Sequence, residues 1–178
     1  DLSLNPYLSR STVNWIFLPL LYEGLFQLAP GFEAEPLLCQ SYEASADGRT
    51  WTFTLRQDAA FSNGVALTAA DVVYSLELAR KSDLYAVRLA CVDTITQASQ
   101  NQVVLTLRQA MGSLPLLLDV PVIRADSVQS PLGTGPYVLI QTADGAYLER
   151  VSGWRGGDAP IGRICLHAVD NTDSVRDA

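Results

Sequence analysis

The chain has 178 residues and a mass of 19.3 kDa, which suits one domain of ordinary size or two small ones. Hydrophobic residues make up 48% and charged residues 17%, a globular composition that excludes an intrinsically disordered chain and a coiled coil. With 12 basic and 19 acidic residues the net charge is −7, so we expect no nucleic-acid partner, because phosphate binding needs a basic excess. No apolar run reaches the roughly 18 residues of a membrane span.

The N-terminal part of the chain predicts one helix between two irregular segments. Asp1–Ser9 is expected to be an extended lead-in. Apolar residues at helical spacing follow, with Ser11 or Thr12 as the N-cap, and Gly24 ends the helix. Residues 27–35 are predicted as a loop that turns at its Pro-Gly pair.

The middle of the chain predicts a hairpin followed by helices. Strict alternation in TWTFTL, within residues 41–56, indicates a strand with one exposed face. Thr68 and Asp71 have the spacing of a capping box, and the helix they begin should end near Lys81. A shorter helix is predicted over residues 84–91.

The C-terminal part predicts mainly hairpins. Residues 92–108 and 135–151 each contain two strand-like runs around a turn, and residues 113–119 suit one or two helical turns. Residues 161–169 are expected to form a last strand, before a helix start that the chain does not complete. We therefore predict an α/β domain with α+β character, in which mixed, largely antiparallel sheets pack with helices.

The cysteines and the single histidine give little support for chemistry. Cys39, Cys91 and Cys165 lie far apart with no CxxC spacing, which excludes zinc ribbons and thioredoxin-type motifs. Their apolar neighbours favour buried free thiols. Cys165 and His167 share one face of a predicted strand, so a hydrolase using this pair is an alternative; the competing interpretation is a histidine on a half-exposed strand. We expect no catalytic residues, no cofactor and no metal site.

Other polar and aromatic residues have simpler interpretations. Glu23 follows a helix end and has no evident partner in the sequence. The GTGPY segment at residues 133–137 lacks the Lys and hydroxyl residue of a phosphate loop and enters a strand, so we predict a tight turn. Tyr7 and Tyr85 fall in predicted loops or helix starts and are the aromatic residues best placed for an exposed binding surface.

Five groups of motifs then occur in a fixed order. They are LYEGL at 21–25, PLL at 36–38 with SY at 41–42, DGRTWTFTLR at 47–56, FSNG at 61–64 with LTAADVVYSL at 67–76, and GTGPY at 133–137. This series closely resembles the family 5 extracellular solute-binding proteins of ABC transporters, which include oligopeptide-, dipeptide- and nickel-binding members. Departures from the family pattern occur at Cys39–Gln40 and at residues 152–154, and residues 108–132 form a shorter stretch than is usual.

The resemblance implies a bilobal, periplasmic-binding-protein type II-like fold, of which residues 1–178 would be part of the first lobe. Residues from about 37 to 132 would form an inserted subdomain, and residues 1–36 and 133–178 would belong to the hinge-proximal subdomain. Solutes of such proteins bind between the two lobes, which close by a hinge.

The same resemblance implies where the solute would be contacted. One place is Arg10, Ser11 and Thr12, where the family offers backbone groups to an extended peptide. The other is near Tyr85 and Arg88, after the capped helix.

The expected function is therefore the solute-binding component of an ABC importer, a non-enzymatic and monomeric protein outside the cytoplasmic membrane, with a lipid anchor as one form. It would bind a small solute, an oligopeptide above all, and deliver it to the membrane permease. The alternatives are a binding protein for nickel chelate, haem or sugar, and the ligand-sensing domain of a transcription regulator with the same fold.

Overall fold

The computed structural model of the chain describes residues 4–8, 12–143 and 145–166, with the side chains of residues 12–14 left out. Its regular elements, in chain order, are α1 (Thr12–Leu21), β1 (Phe26–Ala29), β2 (Glu33–Pro36), β3 (Cys39–Ala44), β4 (Thr50–Leu55), α2 (Ala69–Lys81), β5 (Val92–Ser99), β6 (Gln102–Leu107), a short 3₁₀ helix (Leu114–Leu117), β7 (Tyr137–Thr142), β8 (Gly145–Arg150) and β9 (Arg163–Leu166).

The described strands form three sheets. β1 and β2 make a two-stranded sheet, β3–β4–β6–β5 a four-stranded sheet, and β7–β8–β9 a three-stranded sheet. Every pairing within these sheets is antiparallel. The predicted helix-and-sheet architecture with largely antiparallel strands is confirmed.

The four-stranded sheet owes its order to alternation in the sequence. Trp51, Phe53 and Leu55 of β4 point to the buried face, while the threonines between them are half exposed. β6 repeats the pattern, and the register places Trp51 opposite Leu105. The apolar side chains of both strands therefore fall on one face.

Helix α2 begins and ends where the sequence predicts. The Asp71 carboxylate accepts hydrogen bonds from the Thr68 N–H at 2.9 Å and the Thr68 hydroxyl at 2.6 Å, and its second oxygen accepts the Ala125 N–H at 2.9 Å. Basic residues occupy the last turn, where they complement the helix dipole. The capping box thus also ties the helix to the segment after the 3₁₀ helix.

The segment predicted as a loop at residues 27–35 is instead the β1–β2 hairpin. Its Pro-Gly turn is correctly placed, and Gly31 and Phe32 both have positive φ angles there. The strands were missed because each has only four residues and β2 reads Glu-Ala-Glu-Pro. Backbone hydrogen bonds from Leu37 and Cys39 to the Leu25 carbonyl, at 3.0 and 3.2 Å, fix the hairpin from outside.

The helix predicted over residues 84–91 is wrong: the segment is a run of turns. Bonds of the helical kind, such as Leu89 N–H to the Tyr85 carbonyl at 3.1 Å, alternate with shorter turn bonds, such as Ala90 N–H to the Val87 carbonyl at 3.3 Å. Tyr85 and Leu89 are buried. Apolar burial, rather than a continuous hydrogen-bond ladder, holds the segment in place.

The prediction of three buried thiols holds only for Cys39. Cys91 is half buried, and Cys165 is exposed; all three are free. Cys165 lies on the outer strand β9, where alternate residues face solvent. Apolar sequence neighbours do not bury a residue that lies on the exposed face of its strand.

Candidate functional site

A cavity of about 480 Å³ opens between α1, the turns at residues 82–91 and the end of the 3₁₀ helix. Its volume lies in the range of small-molecule sites, and its wall is mainly apolar with a few charged groups. The lining side chains used below are Trp15, Tyr85, Arg88, Asp119, Glu23 and Trp154.

One wall of the cavity is aromatic. The ring of Trp15, on α1, stacks near that of Tyr85 with centroids 6.4 Å apart and planes 25° from parallel. Tyr7 meets Tyr85 edge-on at 5.9 Å, and the Tyr7 hydroxyl donates to the Pro121 carbonyl. Trp15 remains 42% exposed whereas Tyr85 is buried, so Trp15 presents its ring at the mouth and Tyr85 supports it.

Burial controls the ionisation of these tyrosines. It raises the pKa of Tyr85, while the Arg88 guanidinium counteracts part of that effect. Burial also raises the pKa values of Tyr7 and Tyr22. All three phenols therefore stay neutral at physiological pH and act as hydrogen-bonding and apolar groups.

A charged pair lies beside the Tyr85 ring. Arg88 Nη1 donates to the Asp119 carbonyl oxygen at 2.9 Å, while its distance to the Asp119 carboxylate oxygen Oδ2 is 3.7 Å. The guanidinium also lies 5.6 Å from the centroid of the Tyr85 ring. Burial raises the pKa of Asp119, with Arg88 acting in the opposite direction.

A buried ion pair forms the floor of the cavity. Arg155 binds Glu23 in a two-pronged arrangement, with Nη1–Oε2 and Nη2–Oε1 distances both 2.6 Å. The Thr134 hydroxyl donates to Glu23 Oε2 at 2.9 Å, and the Trp154 indole N–H donates to the Thr134 carbonyl at 2.8 Å. The Glu23 side chain is only 6% exposed and that of Arg155 only 12%, so each charge is compensated by the other.

Two glycines allow this floor to form. A Cβ on Gly133 would lie 2.0 Å from the Leu21 carbonyl oxygen, and one on Gly135 would lie 2.5 Å from the Leu20 carbonyl oxygen. Neither glycine has a positive φ angle. The prediction of a tight turn here is corrected: these glycines serve close backbone contact with the end of α1.

A second cavity, of about 360 Å³, lies between residues 4–8, the 128–133 loop and β7. No charged side chain lines it among the described residues. Asn5 Nδ2 donates to the Val128 carbonyl at 2.7 Å, and the Tyr22 hydroxyl donates to the Leu4 carbonyl at 3.1 Å. These bonds attach the start of the chain to the rest of the structure.

The predicted site residues fall into two groups. Tyr85 and Arg88 line the first cavity together. Arg10 and Ser11 lie outside the described residues, and Thr12 is the first residue of α1 with its side chain not described. Tyr7 was expected on an exposed surface but is 6% exposed, because its ring packs on Tyr85. His167, the expected partner of Cys165, also lies outside the described residues.

Sequence reasoning missed four residues of the site. Trp15 was not among the predicted site residues, and no partner was assigned to Glu23, Asp119 or Arg155. A signal existed for the two acids, since Glu23 and Asp119 each stand in an apolar stretch, where an unpaired carboxylate is costly. Nothing in the sequence pairs Glu23 with a residue 132 positions later.

The described residues contain neither a membrane-spanning helix nor a metal-binding cluster. No helix there is long and apolar enough to span a bilayer. No group of three or more His, Cys, Asp or Glu side chains in that part of the chain is arranged to hold a metal ion.

Comparison with known proteins identifies the family. A sequence model described as bacterial extracellular solute-binding proteins, family 5, middle, matches residues 33–178. The chain belongs to this family. The resemblance predicted from the order of the motifs is therefore confirmed.

One relative aligns with almost the whole length of this chain. The glutathione-binding protein GsiB of Salmonella paratyphi A is 29% identical over 189 residues, which cover 97% of this chain and 37% of GsiB.

Solved structures extend the comparison to the fold. MoaA from A. tumefaciens R10, in complex with mannopinic acid, matches with a TM-score of 0.84 and 26% identity over 98% of this chain and 39% of MoaA. The oligopeptide-binding protein AppA from Bacillus subtilis, in complex with a nonapeptide, matches with a TM-score of 0.82 over 97% of this chain and 39% of AppA. Identity to AppA is 15%, so that likeness shows the fold alone. The predicted type II-like fold is confirmed.

The chain spans less than two fifths of the length of each of these three proteins. What each of them binds is a property of the whole relative. The family 5 chain described here corresponds to part of such a protein.

Proposed function

We propose that this chain is the ligand-contacting part of the first lobe of a solute receptor that serves an ABC importer, with a short peptide as its solute. The observation that carries the proposal is the 480 Å³ cavity, in which the aromatic pair Trp15–Tyr85 adjoins the charged pair Arg88–Asp119. Aromatic rings accept side chains and peptide planes, while fixed charges orient a charged ligand.

The lobe assignment is proposed from the family resemblance, and the position of the cavity supports it. Residues from about 37 to 132 are proposed as an inserted subdomain, and residues 1–36 and 133–178 as the hinge-proximal subdomain. The cavity is lined from both sets, for example by Trp15 and Tyr85. A second lobe closing over it would remove water from the solute and strengthen the electrostatic contacts.

The proposed setting is outside the cytoplasmic membrane, where the receptor would act as a monomer and transfer its solute to the membrane permease. The family description, extracellular solute-binding proteins, supports this setting. A lipid anchor is one proposed form of attachment.

A binding role is proposed in place of catalysis. The carboxylate of Glu23 at the cavity is already paired with Arg155 and so is not available as a general acid or base. Cys165, the nucleophile of the hydrolase alternative, lies on β9 and does not line the cavity. No observation favours the transcription-regulator alternative.

The proposal is tested by ligand-induced stabilisation of the longest natural polypeptide that contains the chain. Thermal unfolding is followed with separate pools of di- and tripeptides, amino acids, sugars, haem and nickel chelates. A bound solute raises the melting temperature with the logarithm of its concentration. We expect a shift with peptides; a shift with another pool alone would overturn the peptide assignment, and none with any pool would overturn the receptor role.

A matched pair of variants locates the binding. Trp15→Ala removes the ring at the cavity mouth and should weaken binding by about tenfold, as the loss of one stacked aromatic predicts. Ile16→Ala is the control, because Ile16 is 70% exposed on the same helix and does not line the cavity. Equal affinities of the two variants would contradict the proposed site.

A further inference from the structure

Arg88 and Asp119 form an ion pair that is only loosely made. The guanidinium donates its short hydrogen bond, 2.9 Å, to the Asp119 backbone carbonyl. Its closest approach to the carboxylate is 3.7 Å, which is beyond hydrogen-bond distance. The Asp119 carboxylate therefore accepts no hydrogen bond from the part of the chain that the structure describes.

Both members of the pair keep binding capacity. A guanidinium has five N–H donors, and one of those of Arg88 is used on the carbonyl. The Asp119 side chain is half buried, and its carboxylate lies 3.7 Å from Arg88 with no hydrogen bond between them, so Arg88 compensates its charge incompletely. A loosely paired, partly desolvated carboxylate gains from a cation supplied by a ligand.

No other charged group at this cavity is free to receive a ligand. Glu23 lines the floor, but Arg155 and the Thr134 hydroxyl occupy its carboxylate at 2.6 and 2.9 Å. Among the lining residues Arg88 and Asp119 are therefore the charges that a solute can reach.

We propose that Arg88 and Asp119 together bind the α-amino-acid head of the solute, with the carboxylate on Arg88 and the ammonium on Asp119. This inference rests on the proposed receptor function and narrows its ligand class. The two protein charges are adjacent, with Nη1 and Oδ2 3.7 Å apart, so they match a ligand whose opposite charges are borne on one carbon.

The pairing discriminates between kinds of peptide. In an ordinary α-linked peptide the ammonium and the carboxylate lie at opposite ends. In a γ-glutamyl peptide the glutamyl residue keeps both groups on its α-carbon, and the rest of the molecule extends away. Here the remainder would pass along the exposed ring of Trp15, which Tyr85 supports from behind.

The test compares two isomers on the longest natural polypeptide that contains the chain. Reduced glutathione and α-linked Glu-Cys-Gly contain the same atoms, and only glutathione has the intact head. By titration calorimetry we expect glutathione to bind at least tenfold more tightly. The loss of one hydrogen bond to a charged group lowers the affinity by about one to two powers of ten.

Two variants connect this preference to the pair. Arg88→Gln and Asp119→Asn should each weaken glutathione binding by about ten- to a hundredfold and bring the ratio between the isomers close to one. Arg56→Gln and Asp58→Asn are the controls, because this exposed ion pair does not line the cavity. If Arg88 and Asp119 had only a structural role, the variants would weaken the binding of both isomers equally, and the ratio of the two affinities would stay unchanged.

The outcomes separate this inference from the receptor role. Glutathione that binds no better than its isomer, or does not bind, overturns the amino-acid-head assignment. If other peptides still stabilise the protein in that case, the proposed function stands and only the ligand class is wrong.

Discussion

Two regions of the molecule are built in different ways. The central sheet, β3–β4–β6–β5 with α2, is made of two hairpins, β3–β4 and β5–β6, which the β4–β6 pairing joins across about 50 positions of the sequence. The junction, where residues 20–24, 133–136 and 154–155 meet, joins segments more than 100 positions apart, as in the Thr134–Glu23 and Arg155–Glu23 hydrogen bonds.

The two regions also differ in what holds them together. Large apolar side chains, such as Phe53 and Leu105, fill the central sheet, and apolar packing loses stability gradually as atoms are removed. At the junction, two glycines let backbone segments approach so closely that a Cβ atom would not fit, and one ion pair is buried. Neither an added side-chain atom nor an unpaired buried charge can be accommodated there, so the junction should respond more sharply to single changes.

The largest effect is expected from Gly133→Ala. The new Cβ would lie 2.0 Å from the Leu21 carbonyl oxygen and 2.5 Å from the Tyr22 ring, and a helix backbone cannot move aside as a side chain can. We expect a loss in unfolding free energy at or above the roughly 4–5 kcal/mol extreme of single substitutions, seen as a lower urea midpoint or no soluble protein.

The matched control is Gly112→Ala. Gly112 has no neighbouring atom within 4 Å of an added Cβ, and its φ angle is not positive. Its urea midpoint should stay near that of the parent protein. Similar midpoints for the two alanine variants would show that the junction adapts and would remove the contrast between the regions.

The next effect concerns the buried ion pair. Glu23→Ala leaves the Arg155 guanidinium, 12% exposed, without its partner, and such a loss costs about 3–5 kcal/mol. The double variant Glu23→Gln, Arg155→Met should recover part of that loss, because no uncompensated charge remains. Urea unfolding of Glu23→Gln, of Arg155→Met and of the double variant completes the cycle and gives the coupling energy.

The exposed pair Arg56–Asp58 provides the reference for this measurement. Its N···O distance is 2.8 Å, but both side chains are well exposed, so Asp58→Ala should cost no more than about 1 kcal/mol. Equal costs for Glu23→Ala and Asp58→Ala would mean that burial gives the junction pair no special weight.

A smaller effect is expected in the central sheet from Asp71→Ala. The substitution removes the N-cap contacts of α2 and the bond to the Ala125 N–H, with a cost of about 1–3 kcal/mol. Asp71→Asn should lose less, because its amide oxygen can still accept one of these bonds. If Asp71→Ala lowered the unfolding free energy more than Glu23→Ala does, the ranking of the two regions would be reversed.

The smallest effect is chemical and leaves stability unchanged. Burial raises the pKa of the Cys39 thiol to about 11, so at about pH 8 it is almost entirely protonated and slow to react. Cys165 is exposed and Cys91 half buried. Iodoacetamide labelling with mass spectrometry should modify Cys165 first and Cys39 only after unfolding; early labelling of Cys39 would contradict the buried central sheet.

Prediction from the sequence succeeded where the signal is local. The alternation in β4 and the Thr68–Asp71 cap each lie within a few residues, and the structure places them as predicted. It failed at β1–β2 and at residues 84–91. There tertiary bonds to Leu25, and the burial of Tyr85 and Leu89, decide the conformation.

The candidate site was predicted in part. Tyr85 and Arg88 came from the family resemblance, and they line one cavity. Trp15, Asp119 and the Glu23–Arg155 pair were not foreseen as site residues, because they come from segments that the chain brings together only when folded. The contacts implied for Arg10, Ser11 and Thr12 remain a prediction.

By itself the sequence determined the hairpins β3–β4, β5–β6 and β7–β8, the capped helix and the family, because turn chemistry, side-chain periodicity and motif order are all written along the chain. Only the tertiary structure decided which charges meet. Electrostatic and packing partners are chosen by distance in space, and the pairing of Glu23 with Arg155 and the loose contact of Arg88 with Asp119 depend on how α1, the 3₁₀ helix and the third sheet pack together.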